Sequence, residues 1–276
     1  MKHPYKLIAL DMDGTLLMTD KSVHPDTIRD IELASEAGLH VVYSSGRAIP
    51  ELLPYTSRLR TMRYGICMSG AVVYDFQEER SLFCKVIPRE LVRRIVQAAR
   101  KDDGMVHFLT ETESVARRDQ VTHMEDFHMG VYQPLFLEIS RTVTDMLEEA
   151  EHYEGIPKVN IYFHSVEARQ QAYEELKLLP LTFAFAEGAS LEMTAQGVTK
   201  ALGLWALVKH LGISMEETLA VGDANNDRAI LEAAGFSVAM GNADREIQEL
   251  CDAVTGDNDH NGAGEAIRRY GMGALL

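Results

Sequence analysis

The stretch "LIALDMDGTLL", residues 7 to 17, runs an apolar segment into two carboxylates, Asp11 and Asp13. A second acidic pair, Asp223 and Asp227, lies in "GDANND" at 222 to 227, and Lys200 follows "LEMTAQGVT". Acids crowded at the ends of buried segments raise one another's pKa values and strain the fold unless a cation intervenes. A hard divalent ion held through oxygen is the natural remedy. Magnesium keeps several waters and uses one or two carboxylates plus a substrate phosphate, so Asp11, Asp13, Asp223 and Asp227 suit Mg2+ better than an all-protein calcium cage.

These acids meet only if the chain brings distant segments together. Leu7 to Leu10 reads as a strand covered on both faces. Pro25 opens a helix with Ile28, Ile31 and Ala34 at helical spacing, and Gly38 closes it. "LHVVY" is a second strand, running into "SSGR" and a helix from Ala48, and "YGICMS" is a third. This alternation predicts right-handed crossovers and an α/β, doubly wound parallel sheet of the Rossmann-like kind. From Gly70 the pattern changes to the paired strands "AVVYDF" and "SLFCKVI", then an amphipathic helix from Pro88 to Lys101. Strands at "MVHFL", "PLFLEIS", "KVNIYFH" and "LTFAFA" mix with two or three helices up to Glu187. Alternation then returns with a helix from Thr199 to His210, placing Leu202, Trp205 and Val208 on one face, and with "TLAV", "DRAILEAAG" and "FSVAM". The expected organisation is a core of residues 1–84 and 188–276 with an α+β domain, 85–187, inserted into it. The carboxyl ends of the core strands open on one crevice, where the four aspartates would share a small space.

Lys plus Arg number 27 against 42 Asp plus Glu, a net charge of −15. That balance argues against nucleic acid or an anionic membrane as partner, so any anionic ligand is held locally. Cys67, Cys84 and Cys251 are odd in number and set among apolar residues, which predicts buried free thiols and a reducing cytoplasm. No apolar stretch approaches membrane-spanning length.

"DMDGTLL", "SSGR", Lys200 and "GDANND", together with "MGNA" at 240 to 243, resemble the ordered motifs of the haloacid dehalogenase (HAD) superfamily. The large insert after the second motif is similar to that of its Cof-type subgroup, metabolite phosphatases with a type IIB (C2B) cap. The resemblance implies Asp11 as nucleophile, forming an aspartyl-phosphate. It implies Asp13 as the acid that protonates the leaving alcohol and later the base that activates water. Lys200 would offset charge on nucleophile and phosphoryl group, and Asp223 and Asp227 would hold magnesium. The substrate set it implies is Gly14, Ser45, Gly46, Arg47, Ser69, Gly70 and Asn226, with Ser44 a substitute for Ser45 and Asn226 fixing its loop. Arg47 has two readings, a structural ion pair or a phosphate contact. The inserted domain would close over the crevice and choose the leaving group. Two departures stand out: the subgroup's Asn-Gly-Ala is "SGA" here, with Ser69 in the asparagine's place, and its Ser-Lys-Gly is Thr199-Lys200-Ala201.

The implied activity is magnesium-dependent hydrolysis of a small phosphorylated metabolite, a sugar phosphate or a phosphorylated cofactor such as FMN or pyridoxal phosphate, by a monomer or weak homo-oligomer. An acid at Asp13 favours a phosphatase over a dehalogenase, because a halide leaves without protonation. The alternatives are a phosphosugar mutase and a phospho-accepting signalling module similar to receiver domains. "DNDHNG" at 257 to 262 begins like a calcium-binding EF-hand loop, but its twelfth place is Arg268 where a Glu is needed. It reads instead as a polar loop near the crevice. His107, His123, His128, His152 and His164 form no HExxH pair and read as surface or core residues.

Overall fold

A computed structural model describes residues 5–186 and 188–273. The chain divides into two compact units, one made of residues up to Arg47, Leu53–Phe83 and Thr199 onward, the other of Ala48–Leu52 and Cys84–Val198.

The first unit is built on an eight-stranded sheet. Leu7–Asp11 lies at its centre between His40–Ser44 and Thr218–Gly222, parallel to both. Every residue of the strand is buried, as its unbroken apolar run requires. On one side the order continues to Tyr64–Cys67, and on the other to Phe236–Ala239 and Ala253–Val254, all parallel. Val72–Asp75 then pairs antiparallel with Tyr64–Cys67, and Arg80–Cys84 forms that edge. Chain order thus runs outward in opposite directions from the pair Leu7–Asp11 and Thr218–Gly222. With right-handed crossovers, helices Pro25–Glu36 and Arg228–Ala233 fall on opposite faces, and a crevice opens at the strand ends between them.

Helix Lys200–Leu211 starts on Thr199, whose Oγ1 accepts the Leu202 N–H at 3.2 Å, and stops at Gly212, in the left-handed region at φ 68°. Its buried face is Lys200, Gly203, Leu204, Leu207 and Val208, and Trp205 is 50% exposed. Of the expected face of Leu202, Trp205 and Val208, Val208 is buried, Leu202 is half-buried and Trp205 turns outward, so the face is corrected to the one through Gly203. A Cβ at Gly203 would stand 2.4 Å from Ile66 Cγ2, so close packing on Tyr64–Cys67 selects the glycine side and takes Lys200 inward.

The second unit carries a six-stranded sheet in the order Leu181–Ala186, Ser190–Ala195, Lys158–Tyr162, Met105–Leu109, Ser114–Arg117, Ser140–Val143. Its pairs are antiparallel except the last, which is parallel. Helices Arg89–Arg100, Met146–Ala150 and Val166–Leu176 complete an α+β arrangement. "PLFLEIS" is not the expected strand: Gln133–Ile139 is a helix with Pro134 in its first turn, and only Ser140 onward is extended. The expected boundary residue, Glu187, lies outside the described residues. Because Ser190–Ala195 pairs with Lys158–Tyr162, the unit runs on to Val198 rather than ending at 187.

Candidate active site

Asp11 ends the central strand, 5% exposed, and Lys200 projects from the first turn of its helix, 2% exposed. Lys200 Nζ donates to Asp11 Oδ1 at 2.5 Å and to Asp227 Oδ1 at 2.6 Å. Asp227 is fully buried, and its Oδ2 accepts the Asp223 and Ala224 backbone N–H groups at 3.1 and 3.3 Å. This carboxylate folds the 222–227 loop on itself. Asp223 stands across from it, with Oδ1 accepting Thr15 Oγ1–H at 3.0 Å. A Cβ on Gly14 would come within 2.4 Å of Asp223 Oδ2, and Gly14 adopts φ 82°, so only glycine fits where the turn passes this acid.

One carboxylate oxygen from each of Asp11, Asp223 and Asp227 lies within 4.8 Å of the others. Burial, then the Asp227 charge, pushes the Asp11 carboxyl well above the usual range, with Lys200 opposing. Burial and Asp227 push Asp223 up to about 6. Burial disfavours the charged Lys200, yet Asp11 and Asp227 outweigh it and hold the ammonium above its ordinary value. Three carboxylates therefore face one ammonium. The negative excess, all on oxygen donors, fits a hard divalent cation.

Asp13 is not brought into this group. Its carboxylate turns to Arg47, which reaches Oδ2 with Nε and Oδ1 with Nη2, both at 2.8 Å, and to Lys21 Nζ at 2.8 Å. Burial opposes ionisation, but Arg47 and then Lys21 overcome it and hold this carboxyl down to about 2. Of the two readings of Arg47, the structure displays the ion pair.

Ser45 is 2% exposed, and its Oγ accepts the Arg47 N–H at 3.1 Å across Gly46. Ser44 Oγ is buried with no hydrogen-bond partner among the described residues, beside Asp11 in register. Met68, Ser69 and Gly70 follow one another in the left-handed region at φ 51°, 59° and 96°. The Ser69 N–H donates to the Ser45 carbonyl at 3.0 Å, tying the two loops together. Asparagine tolerates this backbone better than serine, a local reason for the subgroup's residue at that place. A Cβ on Gly70 would stand 2.0 Å from the Thr199 carbonyl, which locks this turn against the start of the lysine helix. Asn226 is exposed, and the role of fixing its loop belongs to Asp227 instead. Sequence reasoning missed Thr15, Lys21 and Asn242. The first and last lie inside quoted motifs, whereas Lys21 has no motif to mark it.

Residues 8–267 match the haloacid dehalogenase-like hydrolase family. The chain is 27% identical to the 5-amino-6-(5-phospho-D-ribitylamino)uracil phosphatase YitU of Bacillus subtilis, over 97% of each chain. It is 28% identical to the pyridoxal phosphate phosphatase YbhA of Escherichia coli, over 92% of this chain and 94% of that one. The HAD subclass IIB sugar phosphatase BT4131 superposes with a TM-score of 0.80 at 26% identity, covering 97% of this chain and 99% of that one. With the match spanning nearly all its length, the chain belongs to the haloacid dehalogenase-like hydrolases, among their subclass IIB phosphatases.

Proposed function

We propose that this phosphatase hydrolyses a small phosphorylated metabolite through an aspartyl-phosphate on Asp11, with Mg2+ held by Asp11, Asp223 and Asp227. The observation that carries the reading is the shared Lys200 ammonium, 2.5 Å from Asp11 and 2.6 Å from Asp227 in a buried setting. It opposes the rise that burial and Asp227 impose on the Asp11 carboxyl, favouring the ionised form, and places positive charge where a phosphoryl group would gather negative charge. Bound Mg2+ supplies Lewis-acid polarisation and neutralises the remaining excess of charge.

An Asp11 oxygen attacks phosphorus as the ester P–O bond breaks, and Asp13 gives its proton to the departing alkoxide. Asp13, now ionised, takes a proton from water. That water's oxygen attacks phosphorus, the bond to Asp11 breaks, and phosphate leaves with the carboxylate restored. Arg47 and Lys21 favour the ionised, water-activating form of Asp13, so its acid form requires those contacts to loosen. Ser45 and the backbone amides near Gly14 and Gly46 would receive phosphate oxygens, with Arg47, Ser69 and Gly70 bordering them. The second unit, Cys84–Val198, would select the leaving group.

The names of the relatives support a sugar phosphate or phosphorylated cofactor as substrate. Among the described residues no helix is long and apolar enough to cross a membrane, and Cys67, Cys84 and Cys251 are free thiols, in keeping with a cytoplasmic enzyme. The test is a panel of sugar phosphates, FMN and pyridoxal phosphate with Mg2+, with product analysis to separate free phosphate from an isomerised sugar phosphate. Turnover that EDTA abolishes and Asp11→Asn removes is expected. Unchanged turnover in Asp11→Asn would refute the assignment.

A further inference from the structure

"MGNA" at 240 to 243 and "DNDHNG" at 257 to 262 have no part in the chemistry described above, yet both reach the turn that carries Asp13. Asn242 Nδ2 donates to the Gly14 carbonyl at 2.8 Å, and Asn242 Oδ1 accepts the Asn258 N–H at 3.0 Å. Asn258 Nδ2 donates to the Leu17 carbonyl at 3.0 Å. The Asp259 carboxylate accepts from Thr19 twice, from its N–H at 2.8 Å and its Oγ1–H at 2.7 Å. Asn261 Oδ1 accepts Thr27 Oγ1–H at 2.5 Å.

The contacts matter because of Gly14. At φ 82° a glycine has wide freedom, so the peptide planes on either side of it are set by what grips them. One grip comes from Asp223, which abuts Gly14 and accepts from Thr15. The other comes from Asn242. Only a carboxamide serves at this place, because its oxygen is anchored by the Asn258 N–H while its NH2 is aimed at the Gly14 carbonyl.

We propose that Asn242, backed by the 257–262 loop, is a latch that positions the Asp13 turn for delivering a proton to the leaving group. Asn242 touches no reacting atom and is a positioning residue. The inference rests on the assignment of Asp13 as the acid.

The experiment follows the first step alone, as the single-turnover rate of alcohol release with enzyme in excess, on an alkyl phosphate and on 4-nitrophenyl phosphate, whose leaving group departs without protonation. The water step, in which Asp13 serves both substrates alike, lies after this signal. Asn242→Asp keeps the shape and the acceptor for Asn258 but loses the donor to Gly14, and Asn242→Ala loses both. Both variants are expected to lower the release rate from the alkyl ester by about 10- to 100-fold, with the half-saturating concentration changed by less than about 3-fold. On 4-nitrophenyl phosphate the release rate is expected to fall by less than about 3-fold. Asp259→Ala, which frees Thr19, is expected to show a weaker form of the same selectivity, restored in part by Asp259→Asn. Asp13→Ala is measured alongside. If it shows the selectivity and Asn242→Asp keeps the alkyl release rate, or slows release from both substrates equally, the latch is overturned while the acid assignment stands. If Asp13→Ala slows release from both substrates alike, the acid assignment fails and takes the latch with it.

Discussion

Replacing Asp223 by Asn removes one of three crowded carboxylates without changing its shape, and metal-free protein is expected to become more stable. Asp223 has its pKa pushed up to about 6 by burial and Asp227. An unfolded chain ionises the same group near 3.9. The folded state therefore bears the full cost of the charge above pH 6 and is relieved as pH falls through the window from 6 to 4. Two pH units correspond to about 3 kcal/mol, or about 1 to 3 kcal/mol once solvent screening of this partly exposed group is discounted. Thr15 keeps its partner, since an amide oxygen also accepts. The assay is urea unfolding followed at Trp205, the single tryptophan of the chain, which sits on the helix beginning at Lys200. In EDTA at pH 7.5 the variant is expected to lead by that margin, shrinking to about a third of it at pH 4.5. Magnesium at about 100 times its dissociation constant adds about 2.7 kcal/mol to a protein that binds it, and wild type is expected to gain more than the variant. A variant less stable than wild type in EDTA at pH 7.5, or a margin unchanged down to pH 4.5, would refute the reasoning.

Lys200→Met leaves Asp11 and Asp227 buried without their shared ammonium, so a loss of about 3 to 5 kcal/mol is expected in the same urea assay, with turnover abolished. Gly70→Ala drives a Cβ to 2.0 Å from the Thr199 carbonyl at φ 96°. The strain alone is worth about 1 to 3 kcal/mol, and kcat should fall as the start of the Lys200 helix shifts. In the second unit, burial and then Lys158 push His107 down to about 3. The unfolded chain protonates this ring near about 6.5, so it binds more protons than the folded state below that pH, and stability falls by about 2 kcal/mol by pH 5. Amide exchange of strand Met105–Leu109, corrected for its intrinsic rate, should show that loss, and His107→Gln should abolish it.

What could be read from the chain were features that local chemistry forces. A buried strand ending in acids, a helix opened by a threonine cap and a lysine one residue inside it each have a short-range signature, and Asp11, Lys200, Asp223 and Asp227 carried theirs. Features set by packing from afar were misread. "PLFLEIS" is an unbroken apolar run that fits either a strand or a buried helix, and the proline in its first turn decided for the helix. The expected face of the helix Lys200–Leu211 passes through Trp205, whereas Gly203, with no side chain to hold the sheet off, sets the contact. Asp13 lies two residues from Asp11, yet the turn at Gly14 sends it to Arg47 and Lys21, a destination that spacing alone does not encode.

The place of Leu7–Asp11 in the sheet also dictates when a ribosome can deliver a working enzyme. One neighbour, His40–Ser44, emerges at once, but the other, Thr218–Gly222, comes 178 residues later than Ser44, which at ordinary rates of synthesis is roughly 10 to 40 s. Through that interval the central strand waits with one side unpaired, exposing hydrogen-bonding groups that a stray strand could capture. Asp223 and Asp227 follow directly behind the missing neighbour, so the strand's protection and the completion of the acidic centre arrive in a single event.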